Sequence, residues 1–134
     1  MKSVEHLPLY DKVLRVFDYD FGKFFVFENF IISEIKEGVI YSWEHHAKRV
    51  TEDISKFMSK NSDVIYISHR IHSYSVVPTD WVKFFKHQFD LKGYAVVGYT
   101  NGSFLNMMVE GLFFNKKIKR FSDLNEAVIW AENI

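Results

Sequence analysis

Cysteine is missing from this sequence of 134 residues, and proline occurs only at Pro8 and Pro78. Without a thiol, the chain can form no disulfide, cannot use a cysteine nucleophile and cannot build a cysteine-ligated zinc site. With two prolines and only six glycines, no flexible linker divides the chain. We therefore predict a single domain over residues 1–134, with residues 1–10 as a loosely ordered N-terminal extension.

Net charge is missing as well, because 17 Lys and Arg residues balance 17 Asp and Glu residues. A neutral chain lacks the basic surface that binds nucleic acid, so we expect no nucleic-acid partner, and near-zero charge favours a homodimer. No apolar run approaches the roughly 20 residues of a transmembrane helix, and residues 1–10 lack the apolar core of a secretory signal. We therefore expect a cytoplasmic protein without a transmembrane segment.

Aromatic residues, by contrast, are abundant at 18% of the chain, and 14 of them are phenylalanines. Each large ring buries a large apolar area, so we predict a core that is rich in rings. Rings that the core does not use could form a dimer interface or line a pocket for an apolar ligand.

Short apolar segments dominate the first 41 residues and indicate β-strands. They lie at Val13–Tyr19, Phe24–Phe27 and Phe30–Ile35, with turn residues near Asp20–Gly22 and at Glu28–Asn29. These short spacings predict antiparallel hairpins.

A first helix is predicted from Trp43 to about Ser59. Ser42 precedes it, and a serine there can accept an unpaired amide of the first turn. One apolar stripe with spacings of three or four residues follows, and it consists of Trp43, Ala47, Val50, Ile54 and Phe57.

Strand and helix patterns alternate from Val64 onwards. Apolar strands are predicted at Val64–Ile67, Tyr94–Tyr99 and Ile118–Phe121. A helical stripe follows each strand. The first of these helices is predicted to start at Thr79 and to end at Gly93 as a left-handed cap. The second covers Leu105–Phe113, and the third covers Leu124–Ala131 with Ser122 or Asp123 as its cap. Crossovers of this length imply parallel strands, so we predict an α/β fold with a mixed sheet of about five strands and about four helices.

Three segments, taken in order, resemble a known family. They are Phe30–Trp43, where an extended pair turns into a serine-capped helix, the buried strand Gly93–Gly98, and the closing helix pattern Phe121–Trp130. Together they resemble the STAS-like fold of bacterial anti-sigma-factor antagonists and of domains appended to sulfate transporters, and the chain looks closest to the small stand-alone members. The resemblance implies a non-enzymatic binding or regulatory module that acts through protein–protein interaction.

The chain departs from this family at the family's phosphorylation motif. In the antagonists, a phosphorylatable serine follows an aspartate at the end of a buried strand. The corresponding stretch, Ile67–Thr79, contains serines but no Asp-Ser pair. The motif is therefore not carried over to this chain.

The polar stretch that follows Ile67 is the most unusual in the chain. Its candidate ligand-binding or partner-binding residues are His69, Arg70, His72, Ser73 and Ser75. Ligands of open α/β sheets bind at the carboxyl ends of the strands, and an arginine there can pair with an anion or phosphoryl group. The alternative is a loop whose hydroxyls and imidazoles satisfy nearby backbone groups.

The sequence contains no recognisable motif for catalysis, for a metal or for a cofactor. His45 and His46 are adjacent on a helix and point about 100° apart, so they cannot hold one ion together. No Gly-x-Ser-x-Gly and no phosphate-binding glycine loop occurs. We therefore predict no catalytic residue, no metal ligand and no cofactor. An alternative to the interaction module is a carrier of a small apolar or lipid-like ligand in an aromatic-lined pocket, and a third possibility is an enzyme that acts through His69–Ser75.

Overall fold

A six-stranded mixed sheet organises the fold in the computed structural model, which describes residues 2–58, 64–80, 83, 91–99 and 118–134. The strands lie in the order β1-β2-β3-β5-β7-β8. Their bounds are β1 Arg15–Tyr19, β2 Gly22–Val26, β3 Phe30–Ile35, β5 Val64–Arg70, β7 Leu91–Gly98 and β8 Ile118–Phe121. The predicted α/β class and mixed sheet are confirmed, with six strands in place of about five.

The first three strands form an antiparallel meander, as the hairpin spacing predicts. Tyr19 pairs with Gly22 across a two-residue turn. A Cβ atom on Gly22 would lie 2.6 Å from the Glu34 carbonyl oxygen of β3, so only glycine lets the two backbones approach this closely.

The other half of the sheet is parallel. β3 pairs with β5, β5 with β7, and β7 with β8, all in the parallel sense. A second sheet contains only two short parallel strands, β4 (Ile40–Tyr41) and β6 (Ser75–Val76).

Two α-helices belong to the described part of the chain. α1 covers Lys48–Phe57 and continues a π-helical turn at Trp43–Ala47, where Ser42 Oγ accepts a hydrogen bond from the His45 amide at 3.2 Å. α2 covers Leu124–Asn133. Both the Ser42 cap and an Asp123 cap are confirmed, since Asp123 Oδ1 accepts from the Asn125 amide.

Most of the two middle helices that the sequence predicts lies outside the residues that the structure describes. A 3₁₀ turn covers Pro78–Asp80, but the rest of the predicted helix after Thr79 and the whole of Leu105–Phe113 lie outside the described residues, apart from residue 83. The predicted total of about four helices therefore stays a prediction.

Gly93 does not end a helix, and this prediction is wrong. It lies inside β7, and its backbone does not have the positive φ of a left-handed cap. A Cβ atom there would lie 3.0 Å from Cη2 of Trp130 on α2. The glycine is placed where a large ring of the closing helix approaches the sheet.

Each face of the sheet has its own apolar core. One face, called here the α1 face, packs against α1, and its buried residues include Tyr66 of β5 together with Phe24, Ile31, Val50, Ile54 and Val96. The other, called the α2 face, packs against α2, and its buried residues include Ile65 and Ile67 of β5 together with Phe25, Ile32, Leu124, Ala127 and Val128. Because β5 alternates between the two cores, its neighbouring side chains meet different surroundings.

The N-terminal segment contributes to the core of the α2 face. It contains 3₁₀ helices at Val4–His6 and Pro8–Lys12, and Val4 is fully buried at 0% exposure. This arrangement differs from the loosely ordered extension that the sequence predicts. Neither of the two described α-helices is long and apolar enough to cross a bilayer.

Candidate functional site

The carboxyl end of β5 separates the candidate residues that the sequence groups together. β5 does not end at Ile67 but continues to Arg70, and all seven of its residues are buried. His69 lies on the α2 face, and Arg70 lies on the α1 face. The sheet therefore stands between the imidazole and the guanidinium, which cannot act on one ligand together.

The remaining candidates lie beyond the strand and are exposed. His72 and Ser73 follow β5, and Ser75 begins β6. Two backbone hydrogen bonds hold this segment: the Gly38 amide donates to the Ser73 carbonyl at 2.9 Å, and the Ser75 amide donates to the Val39 carbonyl at 3.1 Å. The segment thus presents exposed polar side chains on a backbone that is held in place.

A buried hydrogen-bonded array surrounds His69 on the α2 face. Its Nδ1 lies 2.9 Å from Glu34 Oε2, and its Nε2 lies 2.8 Å from the Tyr99 hydroxyl. Glu34 is near the end of β3, and Tyr99 directly follows β7. Because β3, β5 and β7 are parallel, their carboxyl ends meet at one edge of the sheet and bring these three side chains together.

The N-terminal segment closes this array. Ser3 Oγ donates to Glu34 Oε1 at 2.5 Å, and the Val4 amide donates to Glu34 Oε2 at 2.9 Å. Burial alone would raise the pKa of Glu34, but the hydrogen bonds from His69, Ser3 and Val4 outweigh it and lower that pKa below the ordinary 4.5. Glu34 is therefore a carboxylate at neutral pH.

The partners of His69 determine where its proton lies. A carboxylate can only accept, so Nδ1 carries the hydrogen that Glu34 accepts. Burial, with smaller contributions from the carboxylates of Asp123 and Glu34, raises the pKa of Tyr99. Tyr99 therefore keeps its proton at neutral pH, and its hydroxyl forms a hydrogen bond of 2.8 Å with Nε2 of His69. Both ring nitrogens of the imidazole are used inside the protein.

A second array surrounds Arg70 on the α1 face. Its Nε donates to Ser68 Oγ at 3.0 Å, and its Nη2 donates to the Tyr94 hydroxyl at 3.3 Å. The guanidinium carbon lies 5.5 Å from the centre of the Tyr74 ring, whose hydroxyl is 3.1 Å from Ser68 Oγ. Hydroxyls and a ring face thus contact the guanidinium, which stays protonated at any physiological pH.

A polar cavity of about 210 Å³ lies beside the His69 array. It is lined by Ser3, Glu5, Gly22, Lys23, Glu34, Lys36, Ile71 and His72. Its side chains carry both signs of charge, and Lys23 already forms an ion pair with Glu5. No group of three residues able to hold a metal ion occurs in the part of the chain that the structure describes.

Glu34, Tyr99 and Ser3 are site residues outside the set that the sequence pattern predicts. Glu34 carries the one available signal, because it is the only charged residue in the otherwise apolar or hydroxyl-bearing strand Phe30–Ile35. A carboxylate in a buried strand requires hydrogen-bond donors nearby. Tyr99 and Ser3 give no comparable signal, since both residue types are common at strand ends and near termini.

The comparisons with known proteins add no relative: no protein family matches the sequence, and no curated protein and no solved structure matches it significantly.

Proposed function

We propose that the protein is a non-enzymatic, STAS-like interaction module of the cytoplasm, and that it acts by binding another protein at the carboxyl edge of its parallel strands. The support from the fold is a mixed sheet in which an antiparallel N-terminal meander precedes parallel strands. A serine-capped helix after the meander and an aspartate-capped closing helix agree with the segments that carry the resemblance.

One observation carries the proposal: the reactive groups at this edge face inward, and the exposed ones are held on a fixed backbone. His69 and Arg70 are buried on opposite faces and bonded to neighbouring side chains. His72, Ser73 and Ser75 are exposed in a segment that two backbone hydrogen bonds hold against residues 38 and 39. A pre-organised polar surface loses little conformational entropy on binding, which favours recognition of a partner protein.

The test begins with a photo-crosslinking amino acid in place of Ser73, in cells in which the chain occurs naturally. We expect it to capture one protein, whose affinity for the purified chain is then measured. The double variant His72→Glu/Ser73→Glu should weaken that affinity at least about tenfold, or 1.4 kcal/mol. Lys48→Glu, a matched change of an exposed residue at the start of α1, should leave it unchanged.

Two results would contradict the proposal. One is capture of no protein with saturable affinity, together with a small apolar molecule retained in native mass spectrometry, which would favour the ligand carrier. The other is a measurable turnover that His72→Ala removes, because a non-enzymatic module has no turnover to lose.

A further inference from the structure

One edge of the six-stranded sheet is formed by β1. Among the described residues only β2 pairs with it, so one side of its backbone points away from the sheet. Edge strands attract further strands, and proteins protect them with like charges, proline or a covering segment. An edge strand that lacks such protection is therefore a candidate for pairing with a further strand.

The two edges of this sheet differ in that protection. β8, at the opposite edge, carries Lys119 and Arg120, and these like charges oppose pairing with β8 of a second copy. β1 carries one charge of each sign, Arg15 and Asp18, and contains no proline. A strand with balanced charges does not repel a copy of itself.

We propose that β1 pairs with β1 of a second copy of this chain, antiparallel and about a two-fold axis at Phe17. Phe17 is the middle residue of the strand, so a two-fold axis there uses its whole length. Phe17 then faces Phe17 of the second copy, Val16 faces Asp18, and Arg15 faces Tyr19. The two sheets join into one.

The charges near β1 are self-complementary in this register. Tyr19 donates its hydroxyl to Asp53 Oδ2 of α1 at 2.7 Å, so a carboxylate lies beside one end of the strand. At the other end, the Arg15 guanidinium lies 4.7 Å from the centre of the Phe17 ring. The two-fold axis brings each Arg15 to Tyr19 and Asp53 of the other copy. Arg49 of that copy already lies 3.8 Å from Asp53 Oδ2 and 5.1 Å from the centre of the Tyr19 ring, so each Asp53 would be shared by two guanidinium groups.

A groove beside β1 offers room for the second copy. It has a volume of about 510 Å³ and is lined by Arg15, Phe17, Asp53, Lys56 and Phe57. Phe57, at the end of α1, remains 41% exposed, and its ring lies 6.2 Å from that of Phe17. The rings of Phe17 and Phe57, which border the groove in one copy, would pack against the same rings of the other copy.

The hairpin geometry indicates which backbone groups of β1 point outward. The residues that flank a two-residue turn, here Tyr19 and Gly22, form a hydrogen-bonded pair. Because such pairs alternate along the strand, the backbone groups of Arg15, Phe17 and Tyr19 bond to β2. Val16 and Asp18 then bond outward. Phe17 and its copy form a non-hydrogen-bonded pair with a Cα separation of about 4.5 Å, which a disulfide can bridge.

The absence of cysteine makes this register testable with a single substitution. The variant Phe17→Cys, oxidised with copper–phenanthroline, should form a disulfide-linked dimer nearly completely at micromolar concentration. The control variant Lys119→Cys, on the like-charged β8 edge, should remain mostly monomeric under the same conditions. Equal crosslinking of both variants would overturn the proposed register.

The charge pairing is tested by sedimentation velocity on the otherwise unchanged chain. The wild type should dimerise, Arg15→Glu should raise the dimer dissociation constant at least about tenfold, and Arg15→Glu/Asp53→Lys should recover much of the affinity. A wild type that stays monomeric at millimolar concentration, or a dimer that Arg15→Glu leaves unchanged, would overturn the proposal. Circular dichroism of each variant shows whether the monomer is still folded.

Discussion

The two faces of β5 handle a buried polar side chain in different ways. On the α2 face, His69 lies between the carboxylate of Glu34 and the hydroxyl of Tyr99. On the α1 face, Arg70 is bonded to the hydroxyls of Ser68 and Tyr94. An imidazole has two nitrogens to bond, and both are bonded here, whereas a guanidinium carries its charge at any physiological pH and requires several polar contacts.

The faces also differ in what the arrays connect. The His69 array joins β3, β5 and the residue after β7 to the N-terminal segment through Ser3 and Val4. The Arg70 array joins β5 to β7 and to Tyr74 in the segment before β6. The α2-face array therefore couples the chain's start to its centre, and we expect it to contribute more to the free energy of unfolding.

Removal of the Glu34 carboxylate should produce the largest effect. Glu34→Ala leaves His69 Nδ1 and the Val4 amide without an acceptor, and we expect it to lower the free energy of unfolding by about 2–6 kcal/mol, or about 1–3 kcal/mol for each unsatisfied donor. Chemical denaturation at neutral pH measures this loss. Glu34→Gln, which keeps an acceptor oxygen, should lose less, and equal losses for both variants would contradict the role of the carboxylate.

The same carboxylate predicts how stability depends on pH. Because folding lowers the pKa of Glu34 below its ordinary 4.5, its contribution is present above that value and is lost as the pH falls through the lower folded value. Between pH 5 and acid unfolding, the free energy of unfolding should therefore fall more steeply for the wild type than for Glu34→Gln. Parallel curves would show that Glu34 does not titrate differently in the folded state.

Loss of one hydroxyl on each face compares the two arrays directly. Tyr99→Phe leaves Nε2 of an imidazole at 1% exposure without its hydrogen-bond partner, so we expect about 1–3 kcal/mol of destabilisation. Tyr94→Phe removes a longer bond, of 3.3 Å, from an arginine that still bonds Ser68, so we expect about 0.5–1.5 kcal/mol. A larger effect for Tyr94→Phe would reverse the proposed order of the two faces.

An effect similar in size to that of Tyr94→Phe is expected away from both arrays, at the cap of α2. Asp123 is exposed and caps α2 through the Asn125 amide at 3.1 Å. Asp123→Ala should lower the free energy of unfolding by about 1 kcal/mol, and Asp123→Asn, which can also cap, should change it by much less. Thermal unfolding of the two variants side by side checks this, and equal loss would show that the cap hydrogen bond is not the cause.

Sequence patterns predicted the strands and caps well where one face is apolar and local chemistry decides. β3 has the predicted bounds, β8 matches Ile118–Phe121, and the stripe of α2 is buried as expected. The extension of β5 through Ser68, His69 and Arg70 was missed, because polar letters on both faces are typical of a loop. They form a strand because β7 pairs with them along their whole length.

Gly93 and the N-terminal segment show the same limit. A glycine after a helical stripe predicts a cap, but here it leaves room for Trp130, which is 37 residues away in the sequence. Residues 1–10 lack an apolar pattern, yet Val4 is buried, because Glu34 accepts its amide and its side chain packs into the core of the α2 face. Neither contact can be predicted from the neighbouring residues, because each joins residues that are far apart in the sequence.

The sequence by itself determined the α/β class, the mixed sheet and the capping residues of the two described helices, because apolar periodicity and capping act over a few neighbouring residues. Only the tertiary structure decided that His69 and Arg70 lie on opposite faces, that Glu34 and Tyr99 complete the array of His69, and that β1 forms an edge. These features depend on which strands become neighbours, and pairing between distant segments follows from the packing of the whole chain.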